Sequence, residues 1–323
     1  DFSFPNRYNH KLENDEKRGL LPMNYKTTVF LSIALGAVLL IAAIAGMRYM
    51  NPAPEGYRSS FETAKEQATP QPTQTATPKP TEEPFTGFYD TEAMTLKERI
   101  HTPEGFHREE VETDSFAAFM ENYALYKDGK KVKLYDKTLK QNQDAHVAVL
   151  KLVEGDLQQC ADSIIRLYAE YFYQNKMYDK MNFHLVNGFA CEFSKWAEGM
   201  RVSFSGSSTT WTQSAAANDD ETVFEKYLRF VFAYASTISL SDESKKIKKA
   251  EIQAGDIFVQ GGSPGHAVMV LDVCTDDSGR KAFLLGQGFM PAQQFHVLKN
   301  PLHEDDPWYY VDELTYPLQT PEY

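Results

Sequence analysis

Two apolar runs flank one glycine-rich break: residues 255–260 read Gly-Asp-Ile-Phe-Val-Gln, 261–265 read Gly-Gly-Ser-Pro-Gly, and 266–273 read His-Ala-Val-Met-Val-Leu-Asp-Val. Runs this short, and this rich in β-branched residues, form strands, and glycine with proline between them forces a reversal. The segment commits this part of the chain to an antiparallel sheet. His266 opens the second strand and stands at the rim of that sheet. A stiff element fixes it on one side while the loop leaves it accessible on the other, which suits a general base.

A second hairpin follows. With Asp276-Asp277-Ser278-Gly279 as its turn, strands at 266–273 and 281–287 pair so that Val268 faces Gln287 and His266 comes opposite Phe289. Gln287 then shares a face with His266 and lies diagonally beside it, where its amide can orient the imidazole as the third member of a triad. A slip of one residue would put the two side chains on opposite faces.

Upstream, Leu157, Ile164, Tyr168 and Phe172 recur at helical spacing, which predicts a helix over 156–174. Asp156 followed by Gln159 reads as a capping box that starts this helix near Asp156. Cys160 then falls in the first turn, where unpaired backbone N–H groups and the helix dipole favour the nucleophilic thiolate. It also lies on the apolar stripe, where a free cysteine packs as a small hydrophobe.

Cys191 is an alternative nucleophile and His296 a rival base, while His146 and His184, among apolar neighbours, read as strand residues. Trp196, Trp211, Trp308, Tyr309 and Tyr310 suit either a sugar or peptide groove or, more simply, the core. A second helix is expected over 220–235 with Phe224, Tyr227, Phe230, Val231 and Tyr234 inward. Further strands are expected at 256–260 and 294–298, with short strand segments in 123–135 and 145–153. Helices first and an antiparallel meander afterwards make the class α+β.

Outside this region the chain changes character. Residues 27–47 form an apolar run between Lys26 and Arg48, long enough at ~1.5 Å per residue to cross a bilayer as one transmembrane helix. Lys17, Arg18 and Lys26 place residues 1–26 in the cytoplasm and the rest outside, at a bacterial cell membrane. A cleaved signal peptide is the alternative, with Ala43-Ile44-Ala45 as its cleavage site. Residues 48–84, rich in Pro and Thr, read as a disordered, extended linker, and 85–323 as the α+β domain. The net charge of −12 argues against nucleic acid as a partner. Three cysteines without Cys-x-x-Cys spacing give no sign of a metal site, and no cofactor is expected.

Four segments carry a resemblance. They are Asp156-Leu157-Gln158-Gln159-Cys160-Ala161-Asp162, the Lys-Trp-Ala-Glu-Gly run of 195–199, the 255–268 segment, and Met290-Pro291-Ala292-Gln293. Together they resemble the DUF4846 family of bacterial envelope proteins, which brings no established activity. More loosely, the order Cys160, Gly255-Asp256, His266, Gln287 is similar to papain-like cell-wall hydrolases of the NlpC/P60 and CHAP kind. That likeness implies a papain-like antiparallel sheet with packed helices, Cys160 as nucleophile, His266 as base and Gln287 as its orienting partner. Candidate substrate-binding residues are Gly262, Ser263 and Gly265, with Trp196 and Gln293, and a cell-wall peptide or glycan is the implied partner. The Asp-Cys-Ser-Gly signature of those hydrolases is absent, since Gln159 and Ala161 flank Cys160. A non-catalytic glycan- or peptide-binding module built on the same turn is the alternative.

Overall fold

Strands and helices alternate around one long hairpin in the computed structural model, which describes residues 87–141 and 145–323. The anchor expected at 27–47 and the linker at 48–84 lie outside the described residues. Among those described, no helix is long and apolar enough to cross a membrane.

In chain order the helices are α1 (Leu96–Arg99), α2 (Phe116–Glu121), α3 (Cys160–Gln174), α4 (Phe193–Ala197), α5 (Glu221–Tyr234) and α6 (Thr237–Asp242). The strands are β1 (Phe106–Arg108), β2 (Asn182–His184), β3 (Ala190–Glu192), β4 (Met200–Ser205), β5 (Ser208–Gln213), β6 (Ile257–Gln260), β7 (His266–Asp276), β8 (Lys281–Gln287), β9 (His296–Val297) and β10 (Tyr309–Tyr310). The class is α+β with an antiparallel sheet. β7 and β8 form its centre; β6 and β1 pair with the two ends of β7, and β9 and β10 with the two ends of β8. β2 with β3 and β4 with β5 form two separate small hairpins.

Strand alternation sorts the sheet into two faces. Ala267, Met269 and Leu271 join Ile164, Ile165 and Tyr168 in the core that α3 covers. Val268, Val270, Phe283 and Leu285 face the other way, against Ile252, Tyr309 and Leu314.

The β7–β8 register departs from a simple hairpin at two points, and the departures cancel. The turn is one residue longer than expected, because the Asp276 N–H donates to the Arg280 carbonyl at 2.9 Å and Gly279 supplies the positive φ of +86°. Asp272 therefore pairs with Leu284; a bulge at Leu271 then resets the ladder, so that Val270 pairs with Leu285 and Met269 with Gly286. Carried on, the reset register sets Val268 against Gln287. Without the bulge Gln287 would oppose Met269, on the face away from His266.

Three other expectations change. The segments 123–135 and 145–153 make isolated bridges only, among them Leu125 with Ala148 and Val147 with His296. The strand expected over 294–298 shrinks to β9. Tyr234 at the end of α5 is exposed, whereas Phe224, Tyr227 and Val231 are buried as expected.

Candidate active site

α3 begins at Cys160, four residues later than the capping pattern at Asp156 suggests. The N-cap is Gln159, whose backbone N–H donates to Asp162 Oδ2 at 3.0 Å. Asp156 serves the loop instead. Its Oδ1 accepts the Ala292 N–H at 2.6 Å and the Gln159 side-chain amide at 3.1 Å, tying the helix entrance to the segment beyond β8. Cys160 is thereby the first helical residue.

Two glycines let the surrounding backbones close in. A Cβ at Gly288 would stand 2.3 Å from Ser163 Oγ and 2.9 Å from the Gln159 carbonyl, so only glycine carries the chain past the start of α3. A Cβ at Gly265 would meet Thr237 Oγ1 and the Gly262 carbonyl at 2.4 Å each, which fixes the 261–265 turn against the start of α6. Between these elements lies a cleft of about 580 Å³, lined by Cys160, Asp162, Thr237, Gly262, Ser263, Gly265, His266, Phe289 and Tyr323.

Cys160 and His266 reach this cleft from different sides. By alternation His266 belongs with Val268 and Val270, on the face away from α3; as the first residue of β7 it stands at the rim. His266 Nε2 meets Gln287 Oε1 at 2.8 Å. The amide orientation is set from behind, because Gln287 Nε2 donates to Glu322 Oε2 at 3.2 Å and Glu322 is ion-paired with Lys140. With Gln287 Oε1 as acceptor, the proton of the neutral imidazole sits on Nε2, and Nδ1 keeps a lone pair. Phe289 meets the ring at an angle of 63°, with centroids 5.0 Å apart, and Tyr323 covers it at 4.8 Å.

Burial pushes the Cys160 thiol above its ordinary value. The N–H groups of Ala267 and Ala161 oppose the rise, and the nearby Asp162 carboxylate adds to it. At 6 % exposure, desolvation outweighs the helix-start effect that favoured a resting thiolate. Burial also lowers the pKa of His266, against the Gln287 bond and the Glu322 charge, so the ring is neutral at pH 7. Burial lifts Asp162 to about 7, and the backbone N–H groups of Gln159 and Asp162 only partly counter it.

The remaining sequence candidates lie elsewhere. Trp196 is buried, edge-on to Tyr227 and beneath the Arg201 guanidinium 4.2 Å from its ring centre; its area serves the core instead of the cleft. Gln293 lines a neighbouring cavity of about 680 Å³ with Lys140, Phe289 and Glu322. Cys191 sits in β3 with no exposure, and burial pushes its thiol up to about 12. His296 is sealed in β9, where burial lowers it to about 4 and Nδ1 lies 3.0 Å from the Gln294 carbonyl. His146 is lowered to about 4 by burial, whereas His184 in β2 is raised by Glu243 at 2.7 Å. Trp308, Tyr309 and Tyr310 are buried, and Trp211 lies on β5, away from the cleft lining. Cys160, Cys191 and Cys274 are all free thiols. Among the described residues no group of three or more His, Cys, Asp or Glu is placed to hold a metal ion.

Lys140, Asp162, Glu322 and Tyr323 are contacts that sequence reasoning missed. Lys140 and Glu322 lie far apart along the chain in segments without periodicity, so no local pattern marks them. Asp162 had a signal, since it follows Gln159 by three residues and completes the capping box in use.

The family described as Domain of unknown function (4846), DUF4846, matches residues 96–323. No curated protein and no solved structure matches the chain. The family match spans the sheet, α3 and every residue of the cleft, and on that extent the chain belongs to the DUF4846 family.

Proposed function

We propose that this chain is a membrane-anchored, extracytoplasmic cysteine amidase or peptidase acting on cell-wall peptides. The observation that carries the reading is the shared cleft: Cys160 at a helix start and His266, held through Nε2 by Gln287, line one cavity. The order Cys160, Gly255-Asp256, His266, Gln287, loosely similar to that of papain-like hydrolases, and the apolar run at 27–47 support the substrate class and location.

In this reading His266 Nδ1 takes the Cys160 proton as the sulfur attacks an amide carbonyl. The oxyanion is met by N–H groups at the start of α3. The tetrahedral species collapses to a thioester, and the imidazolium proton leaves with the amine. Water then attacks the thioester, giving its proton to His266 and releasing a carboxylic acid and the thiol. Because the resting thiol is protonated, substrate entry and proton transfer to His266 form the thiolate on demand.

Alkylation with iodoacetamide at pH 7.5, read by mass spectrometry, tests the proposal. Cys160 should label in the folded protein while Cys191 and Cys274 stay unmodified, and His266→Ala should slow it at least about tenfold. The raised thiol favours a second reading, a binding module that holds a glycan or peptide in the same cleft. Labelling of Cys160 only after unfolding would overturn the hydrolase in favour of that module.

A further inference from the structure

The His266 side chain ends a chain of contacts drawn from four separate parts of the molecule. Lys140 pairs with Glu322, Glu322 accepts the Gln287 amide N–H, and Gln287 Oε1 faces His266 Nε2. An amide has two ends of similar size and opposite hydrogen-bonding character. Left alone, Gln287 could turn its NH₂ toward the ring, and the ring would then present a lone pair at Nε2 and its proton at Nδ1. A carboxylate accepts only, so Glu322 excludes that arrangement. Glu322 is itself held, by Lys140 and by a turn in which the Thr320 N–H donates to the Tyr323 carbonyl at 2.9 Å.

We propose that Glu322 is a positioning residue which, through Gln287, selects the Nε2–H tautomer of His266 and so keeps Nδ1 unprotonated. Its usefulness to a reaction rests on the hydrolase reading above; the tautomer itself does not.

Long-range ¹H–¹⁵N correlation spectra of ¹⁵N-histidine-labelled protein near pH 7.5 test it, with His266 assigned by its loss in His266→Ala. The full chain should show Nε2–H in excess by about tenfold, the preference one net hydrogen bond confers. Glu322→Ala should bring the two tautomers to within roughly threefold of each other, Lys140→Met should fall between, and Glu322→Gln, whose amide donates as well as accepts, should recover little of the excess. The buried His296 and the ion-paired His184 report whether each variant is folded. An unchanged His266 tautomer in a folded Glu322→Ala or Lys140→Met protein, or a wild-type Nδ1–H form, overturns the proposal. Tautomer selection with an unreactive Cys160 would leave the positioning role standing and remove the hydrolase.

Discussion

Asp162 is a buried carboxyl in the first turn of α3, close enough to Cys160 for its charge to raise the thiol. A carboxyl raised to about 7 keeps its proton in the folded state over a range where the unfolded chain has lost it. The Asp162 contribution to stability is therefore most favourable below pH ~4 and declines as pH rises from there to about 7, by a few kcal/mol at most for a shift of this size. Asp162→Asn should remove that decline, because an amide oxygen can still accept the Gln159 N–H. Urea denaturation at pH 5 and pH 8 measures it: the gain of the variant over wild type should be roughly threefold larger at pH 8 than at pH 5. The same change should speed Cys160 alkylation, since the nearby negative charge raises the thiol.

At the scale of elements, the site depends on two backbones that touch at Gly288. Gly288→Ala would press a methyl group on Ser163 and the Gln159 carbonyl and shift the start of α3, costing about 1–3 kcal/mol. Cys160 labelling should then lose its dependence on His266, which comparing alkylation rates of Gly288→Ala with and without His266→Ala would measure. The β6–β7–β8 pairing was legible in the sequence because alternating apolar residues and short turns leave few registers, whereas β1, β10 and the β2–β3 and β4–β5 hairpins carried no such pattern. The expected side-by-side placement of His266 and Gln287 emerged for a different reason, a longer turn offset by the bulge at Leu271. The helix start was misjudged because two overlapping Asp/Gln spacings compete there, and the loop contact to Ala292 decides between them. Trp196 was ambiguous for a similar cause, as a large aromatic residue serves a groove or a core equally well until its neighbours are known.

Across the whole molecule, His146 and His296 set the acid limit. Both are lowered by burial to about 4, so between pH ~6.5 and 4 the unfolded chain takes up protons that the folded one refuses. Stability should fall as pH drops through that window, by up to ~3 kcal/mol for each histidine. His296→Gln should flatten part of the fall, seen as a smaller gap between urea midpoints at pH 7 and pH 4.5. The contacts around His266 also draw on distant parts of the chain, from Lys140 to Tyr323. At ~5–20 residues per second, a ribosome finishes Glu322 on the order of ten seconds after Cys160. A chain still being synthesised thus carries its sulfur, its histidine and Gln287 before Glu322 is there to orient the Gln287 amide.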